Sequence, residues 1–249
     1  MGILGETARP CLPVGAVQRL AIPNEQVVDL AAVNEFVDVH QRNVSDHVVL
    51  RRPRAGSVTV QSVGTTRVTI DGNSALAAQL RAADMYSDCP ATVVVPTFFA
   101  GAIAFVDLTD ADFDAAWEQP MRQTIVAFQT AHRSGHTRLI AVVPTIGMSG
   151  APQLAHAAAT AEAIRVMVKS AARQWGADGV TVNCIAIAPE LFGIDADAVG
   201  AVSIAPPALA SRGSVLDDIV PLIRLTTSTD AHHITGATLT ADGGIWMTS

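Results

Sequence analysis

Residues 139–188 decide the fold and read LIAVVPTIGMSGAPQLAHAAATAEAIRVMVKSAARQWGADGVTVNCIAIA. Leu139 to Val143 is a continuous apolar run, which is typical of a strand buried on both faces of a parallel sheet, and Val180 to Ala188 is predicted to be a second strand. Between them, Pro152 to Trp175 is Ala-rich and carries one apolar stripe at helical spacing. A strand, a long helix and a second strand in this order predict a βαβ unit.

Strands and helices continue to alternate on both sides of this unit. Further strands are predicted at Ala91 to Val95 and Ala237 to Thr240, and a helix is predicted at Leu216 to Leu225. Thr109 followed by acidic residues predicts the start of a helix that runs toward His132. We therefore predict the α/β class, with a single doubly wound, Rossmann-like domain over residues 1–249 and a mostly parallel sheet.

The first ninety residues alternate less clearly than the rest of the chain. A helix is predicted over Gln26 to His40, and the DGNS sequence at residues 71–74 predicts a turn that caps a helix from Ala75 to about Tyr86. Residues 1–90 are therefore the divergent part of the domain, and residues 91–249 are its recognisable part. Short strands are predicted at Val48 to Leu50, Val58 to Val63 and Thr66 to Ile70.

Composition excludes several classes of function. The chain has 16 Lys and Arg against 23 Asp and Glu, a formal net charge of −7, which argues against a nucleic-acid partner. The most apolar window, residues 91–106, is interrupted by Pro96 and Gly101 and does not predict a membrane span. The N-terminus does not show the basic start and apolar run of a signal peptide, and the three Cys are widely spaced. We expect a cytoplasmic protein with no membrane and no nucleic-acid partner.

Two motifs are excluded by counting residues. The chain has one Tyr, Tyr86, and one Lys, Lys169, so that neither a Tyr-x-x-x-Lys pair nor a P-loop can occur. Its 18 Gly include no two that are two positions apart, and Gly-x-Gly-x-x-Gly is therefore absent. The chain lacks the usual glycine-rich turn that brings backbone N–H groups against a pyrophosphate.

Two motifs in the second half of the chain resemble the short-chain dehydrogenase/reductase family. Residues 234–244, ITGATLTADGG, are similar to the family's Thr-Gly…Asp-Gly-Gly ending, and residues 179–186, GVTVNCIA, are similar to its strand before the substrate loop. The resemblance begins at Ala91. It implies the family's fold, but a shared fold does not by itself establish a shared activity.

The resemblance places the family's four catalytic side chains on residues of a different kind. His156 corresponds to the Tyr, Thr160 to the Lys that lowers the pKa of that Tyr, Thr145 to the Ser, and Pro120 to the Asn. Thr145 retains a hydroxyl donor, whereas Thr160 has no charge and Pro120 has no side-chain donor. Pro120 is also expected to kink its helix. We therefore expect this chain to have no catalytic residues of the family type.

The cofactor positions differ as well. Phe98 and Phe99 lie in a stretch similar to the family's Asn-Asn-Ala-Gly, and we expect their rings to fill space that adenosine and ribose would otherwise occupy. Pro189 and Glu190 correspond to the family's Pro-Gly, where Glu190 adds bulk and negative charge. The expectation is that this chain binds neither a cofactor nor a metal, and that NAD is bound by a partner subunit.

These replacements favour a pseudoenzyme. The hypothesis is a non-catalytic subunit that forms a heterotetramer with an active NAD-dependent short-chain dehydrogenase, using the helices that begin at Thr109 and Pro152. Heteromeric members of the family with one inactive subunit include a hydroxyacyl-CoA dehydrogenase of benzylsuccinate breakdown. The resemblance therefore implies an acyl-CoA complex, with 2-(hydroxybenzyl)succinyl-CoA oxidation in anaerobic toluene degradation as a candidate reaction.

Two alternatives remain open. One is non-redox chemistry of the lyase or dehalogenase type in the relict pocket, with His156 as the base. The other is a regulatory module that binds a metabolite there. Three further features are interpreted as structural. A phosphate site at Arg51, Arg52 and Arg54 and a metal site at His232 and His233 are the less favoured alternatives. Cys184 lies on a predicted buried strand and is expected to be a core residue.

Overall fold

The computed structural model describes residues 65–194, 208–209 and 214–246, together with the backbones of three strands nearer the N-terminus. The chain divides into two compact units. One is Cys11–Thr66, and the other combines Met1–Pro10 with Arg67–Ser249. The single domain over residues 1–249 stays a prediction.

The smaller unit contains a three-stranded antiparallel sheet. Its strands are β1 (Gln18–Arg19), β2 (His47–Arg51) and β3 (Thr59–Val63), in the order β1-β3-β2. The two strands predicted here are confirmed, and they pair from His47 opposite Val63 to Arg51 opposite Thr59. The helix predicted over residues 26–40 lies outside the described residues.

The larger unit is built on a five-stranded parallel sheet. The strands are β5 (Thr69–Asp71), β7 (Ala91–Val94), β8 (Arg138–Pro144), β9 (Thr181–Ile187) and β10 (Thr238–Ala241), in the order β10-β9-β8-β7-β5. The two longest strands, β8 and β9, are buried along their whole length. Burial on both faces is typical of strands in a parallel sheet that is covered by helices. A separate two-stranded sheet contains β4 (Thr66–Arg67) and β6 (Tyr86–Ser87).

Helices cover both faces of this sheet. Alternate residues of β8 enter different cores, because side chains on a strand point to opposite faces. Leu139 and Val143 pack in the core that contains Ile164, whereas Ile140 and Val142 pack with Leu80. The predicted α/β fold with a mostly parallel sheet is confirmed. The helices are α1 (Ala75–Ala82), α2 (Asp110–Phe113), α3 (Gln119–Arg133), α4 (Ile146–Ser149), α5 (Ala155–Trp175) and α6 (Val220–Thr227).

Positive φ angles move two helix boundaries from their predicted places. Helix α1 has the predicted N-cap, since Ser74 accepts a hydrogen bond from the Ala77 N–H. It ends at Ala82 instead of near Tyr86, because Asp84 has φ +44°. Helix α5 starts three residues after Pro152, since Gln153 has φ +59°. Neither angle is compatible with a right-handed helix.

The helix predicted from Thr109 toward His132 is interrupted. Its start is confirmed, because Thr109 and Asp112 form a reciprocal capping box. A π-helical turn, Asp114–Glu118, then separates α2 from α3, and Pro120 is the second residue of α3. Instead of a kink at Pro120, the structure has a π-helical turn just before the proline. Pro120 itself lies in the first turn of α3, where a backbone N–H has no partner within the helix.

Candidate functional site

The candidate site lies where the parallel strands end. Because β5, β7, β8 and β9 run in the same direction, the segments that follow them meet at one edge of the sheet. Open α/β sheets bind their ligands at this edge. The strands end there at Asp71, Val94, Pro144 and Ile187.

Two buried polar side chains near this edge lack hydrogen-bond partners. Thr145 follows β8, and its backbone N–H donates to the Ile187 carbonyl at 2.9 Å, but its buried hydroxyl has no partner. His156 lies in the first turn of α5, and neither of its buried ring nitrogens has a well-formed hydrogen bond. The Phe99 ring lies edge-on to His156, with centroids 5.4 Å apart. These are the sequence-predicted counterparts of the family's Ser and Tyr.

Burial favours the neutral form of the His156 ring. Desolvation lowers the pKa of His156, although the nearby Gly101 backbone and the Asp112 carboxylate favour its protonated form. A neutral imidazole has one donor and one acceptor nitrogen. The ring is thus able to accept a proton or to hold a neutral hydroxyl or carbonyl group.

The Thr160 hydroxyl joins α5 to the π-helical turn that precedes Pro120. It is fully buried and donates to the Ala116 carbonyl at 2.7 Å. It also lies 3.0 Å from the His156 carbonyl. Pro120, the second residue of α3, has no N–H to donate. At the position that the resemblance assigns to the family's Lys, this chain therefore has a short hydroxyl with a structural role.

An aromatic pair spans the edge of the sheet at the predicted cofactor positions. Phe98, after β7, and Phe192, after β9, are in edge-to-face contact with centroids 5.2 Å apart. Since β8 lies between these strands, the contact passes over the end of β8. Phe99 packs against Gly101, where an added Cβ would lie 2.9 Å from its ring. Both predicted Phe residues therefore occupy space at this edge.

The neighbouring turns also differ from a dinucleotide cradle. Pro189 is buried and Glu190 is half-buried in a short 3-10 turn, Pro189–Phe192, so that a carboxylate lies close to the edge. The turn after β5 contains one glycine, Gly72, and its Ser74 hydroxyl is already used to cap α1. The described turns at this edge therefore lack a glycine-rich cradle and include a carboxylate.

Sequence reasoning missed two residues that shape this edge. The Gln123 side chain accepts from the Thr97 N–H at 3.1 Å and donates to the Val95 carbonyl at 3.4 Å, which fixes the loop after β7. Phe192 completes the aromatic pair. Neither residue has a local sequence signal, because each acts on a segment far away along the chain.

The remaining candidates have structural roles or lie outside the described residues. Cys184 is fully buried in β9, and burial raises the pKa of its thiol to about 12, which makes it an unreactive core residue. His232 and His233 are exposed with ring centroids 4.3 Å apart, and the described residues contain no group of three metal-ligating side chains. Arg51 ends β2, whereas the structures of Arg52 and Arg54 lie outside the described residues. In the described part of the chain, each helix is too short or too polar to cross a membrane.

Comparison with known proteins identifies the family. Residues 91–246, more than half of the chain, match the family model described as enoyl-(acyl carrier protein) reductase. The chain belongs to the short-chain dehydrogenase/reductase family. It is thus an oxidoreductase-like protein, as the resemblance at residues 179–186 and 234–244 implied.

Similar proteins include two curated relatives. The chain is 29% identical over 119 residues to peroxisomal 2,4-dienoyl-CoA reductase [(3E)-enoyl-CoA-producing] of Danio rerio, covering 45% of this chain and 39% of that protein. It is 26% identical over 156 residues to a short-chain dehydrogenase/reductase of Armillaria gallica, covering 57% of this chain and 60% of that protein. The chain therefore spans less than two thirds of either relative.

Solved structures show the same fold. A blue fluorescent protein from a metagenomic library, in complex with NADPH, matches with TM-score 0.52 and 25% identity over 64% of this chain and 66% of that one. A mutant short-chain dehydrogenase/reductase of Serratia marcescens matches with TM-score 0.51 and 22% identity over 61% of this chain and 65% of that one. These matches extend the family assignment to the three-dimensional arrangement.

We predict that the chain loses stability as the pH falls from about 7.5 to 5.5. Desolvation lowers the pKa of His156 and of His136, whose ring contacts Thr92 at 2.6 Å. Both groups protonate in the unfolded chain near their ordinary value of about 6.5 while the folded chain still resists protonation. The contribution of the two neutral rings to the free energy of unfolding is therefore complete above that pH. It is lost as the pH falls toward their pKa values in the folded chain.

Urea unfolding at several pH values measures this effect. The wild-type midpoint should decrease below about pH 6.5, and His156→Gln should remove part of the decrease while His136→Gln removes another part. A midpoint that stays flat or rises over this interval would show that the two rings are not desolvated as described.

Proposed function

We propose that this chain is a non-catalytic subunit that assembles with an active NAD-dependent short-chain dehydrogenase. The observation that carries the proposal is the hydrogen bond from Thr160 to the Ala116 carbonyl. The Thr160 hydroxyl, at the position that the resemblance assigns to the family's Lys, joins α5 to the π-helical turn that precedes Pro120. An uncharged Thr160 hydroxyl with a structural contact, and a Pro120 that has no side-chain donor, support the absence of the family's proton relay.

The proposal extends to the cofactor. This chain binds no nicotinamide dinucleotide, and NAD belongs to the partner subunit. The Phe98–Phe192 contact over the end of β8 and the half-buried Glu190 support this view, since one fills space and the other repels an anionic cofactor.

Assembly would use helices α3 and α5. Helices α3 and α5 bury one face against the sheet but leave Ile125, Val126 and Val166 exposed on their outer faces. Helix α5 also exposes Ala159, and small side chains allow close approach of a second pair of helices. A heterotetramer formed through these helices would remove this apolar surface from water.

The substrate class of the complex is proposed to be a hydroxyacyl-CoA. The resemblance to heteromeric members of the family supports it, and so does the name of the Danio rerio relative, a 2,4-dienoyl-CoA reductase. Oxidation of 2-(hydroxybenzyl)succinyl-CoA in anaerobic toluene degradation is the specific candidate reaction.

A second candidate function rests on the His156 and Thr145 side chains. Buried polar atoms normally have hydrogen-bond partners, so a site in which the Thr145 hydroxyl has no partner and the His156 ring has no well-formed hydrogen bond is suited to a neutral polar ligand. Either a metabolite-binding regulatory module or non-redox lyase or dehalogenase-like chemistry would use them. A thermal-shift hit from a metabolite screen that disappears in His156→Ala would favour this candidate.

Two measurements test the leading proposal. Titration of the purified chain with NADH and NADPH should show no binding at micromolar concentrations. Co-expression with each Tyr-x-x-x-Lys-containing short-chain dehydrogenase of the source organism should give one mixed tetramer that oxidises hydroxyacyl-CoA substrates, detected by native mass spectrometry and by NADH formation. Coenzyme binding by this chain alone would contradict the proposal. The absence of a mixed complex with any of these partners would also contradict it.

A further inference from the structure

The segment between β7 and α3 has an unusual combination of charge and apolarity. Residues 105–118 read FVDLTDADFDAAWE and contain no Lys, Arg or His. The segment forms a 3-10 turn at Phe105–Asp107, then α2 and the π-helical turn. We call it the acidic–aromatic face, and its five acidic residues are Asp107, Asp110, Asp112, Asp114 and Glu118.

Large apolar side chains on this face are open to water. Phe105 is 76% exposed, Val106 is 88% exposed and Phe113 is 53% exposed. Phe113 stacks on Trp117 four residues later, with ring centroids 5.7 Å apart and planes 14° from parallel. The stacked pair therefore forms a preformed aromatic platform, of the kind that is enriched in protein–protein interfaces.

Acidic side chains lie beside this platform. Asp110 and Asp112 lie in the first turn of α2, where negative charge favours the helix N-terminus. Glu118 pairs with Arg122 at 3.6 Å. Within the described part of the chain, Asp107, Asp110 and Asp114 have no ion pair. The face therefore has more carboxylates than cations, and a basic surface would be attracted to it.

The charge also decides what can cover the face. A two-fold contact with a second copy would place five carboxylates against the same five, because such an interface uses one patch twice. Anionic lipid and nucleic acid are repelled for the same reason. A protein surface with an apolar centre and a basic rim is complementary in both respects.

We infer that residues 105–118 are a docking face for a basic, apolar surface on a different protein. This inference rests on the proposed assembly with another subunit and adds the chemistry of the surface that subunit presents. It also explains why association here is with a different chain, since the charge opposes self-association through this face.

Designed peptides provide a probe that does not require the partner to be known. Three peptides of equal length and helical pattern are titrated into the full chain, one built from Leu and Lys, one from Leu and Glu, and one from Gln and Lys. Tryptophan fluorescence follows binding, and Trp117→Phe identifies the signal from the face. The Leu/Lys peptide should bind at least about tenfold more tightly than the other two, because it alone combines apolar burial with opposite charge.

Matched variants locate the binding. Asp107→Asn with Asp114→Asn should weaken Leu/Lys peptide binding by roughly fivefold, while Asp178→Asn with Asp218→Asn changes the net charge equally and should leave binding nearly unchanged. Asp178 and Asp218 are exposed and belong to other segments. Phe105→Ser with Val106→Ser should also weaken binding, with both acid pairs retained.

Equal binding of the Leu/Lys and Leu/Glu peptides would overturn the inference, as would equal weakening by the two acid pairs. Either result would leave the proposed pseudoenzyme role in place, since that role is tested by coenzyme titration and mixed-tetramer formation. Conversely, coenzyme binding by the chain alone would overturn the pseudoenzyme role without changing the peptide result.

Discussion

Thr160→Lys, which introduces the family's own residue, should destabilise this chain by about 4 kcal/mol or more. Thr160 is fully buried beside Ala116 and Ala161. A lysine there buries an ammonium group without a carboxylate partner and adds several methylene groups to a packed core. It also removes the hydroxyl that donates to the Ala116 carbonyl.

Two control variants separate these contributions in urea unfolding experiments. Thr160→Val removes only the hydroxyl and should cost about 1–3 kcal/mol, the range for an unsatisfied buried carbonyl. Thr160→Ser keeps the hydroxyl and should cost less than Thr160→Val. Because burial lowers the pKa of a lysine, the stability of Thr160→Lys should recover in part as the pH is raised toward 10, where the amine loses its charge more readily.

A Thr160→Lys variant as stable as the wild type would show that the position still accommodates the catalytic lysine. In that case the chain would be a recently altered enzyme, and the pseudoenzyme proposal would lose its main structural support. A stable variant that also bound NADH would contradict the proposal directly.

The central sheet could be predicted because its signals are local. Leu139 to Val143 and Val180 to Ala188 are apolar at every position or nearly so, and that pattern fits a strand covered on both sides. The structure places β8 and β9 there, buried throughout. The boundary at Asp84 could not be predicted, since a positive φ at a non-glycine residue depends on the strand that follows it.

The site could be predicted only as a set of positions. The family resemblance pointed to Thr160 as a replacement, but not to the contact that its hydroxyl makes with a backbone carbonyl of another segment. The acceptor is the backbone of Ala116, which has no sequence signature of its own. Phe192 was missed for a related reason, since its partner Phe98 is 94 positions away along the chain and only the sheet order brings them together.

Gly72→Ala should destabilise the chain by about 3 kcal/mol or more, because it combines backbone strain with a steric clash. Gly72 has φ +146°, a conformation that side chains rarely adopt, at the turn from β5 into α1. A Cβ built there would lie 2.5 Å from the Val95 carbonyl oxygen, 3.1 Å from the Ala77 Cβ and 3.2 Å from the Val95 Cβ. The carbonyl belongs to the chain just after β7, so β5 and β7 would have to separate.

Gly135→Ala is the matched control for the clash. Gly135 also has a positive φ, +79°, but an added Cβ there would meet nothing within 4 Å, so the variant should lose only about 1 kcal/mol from backbone strain. Thermal and urea unfolding of both variants give the difference. Equal losses would mean that the turn after β5 does not approach the chain after β7 as closely as described.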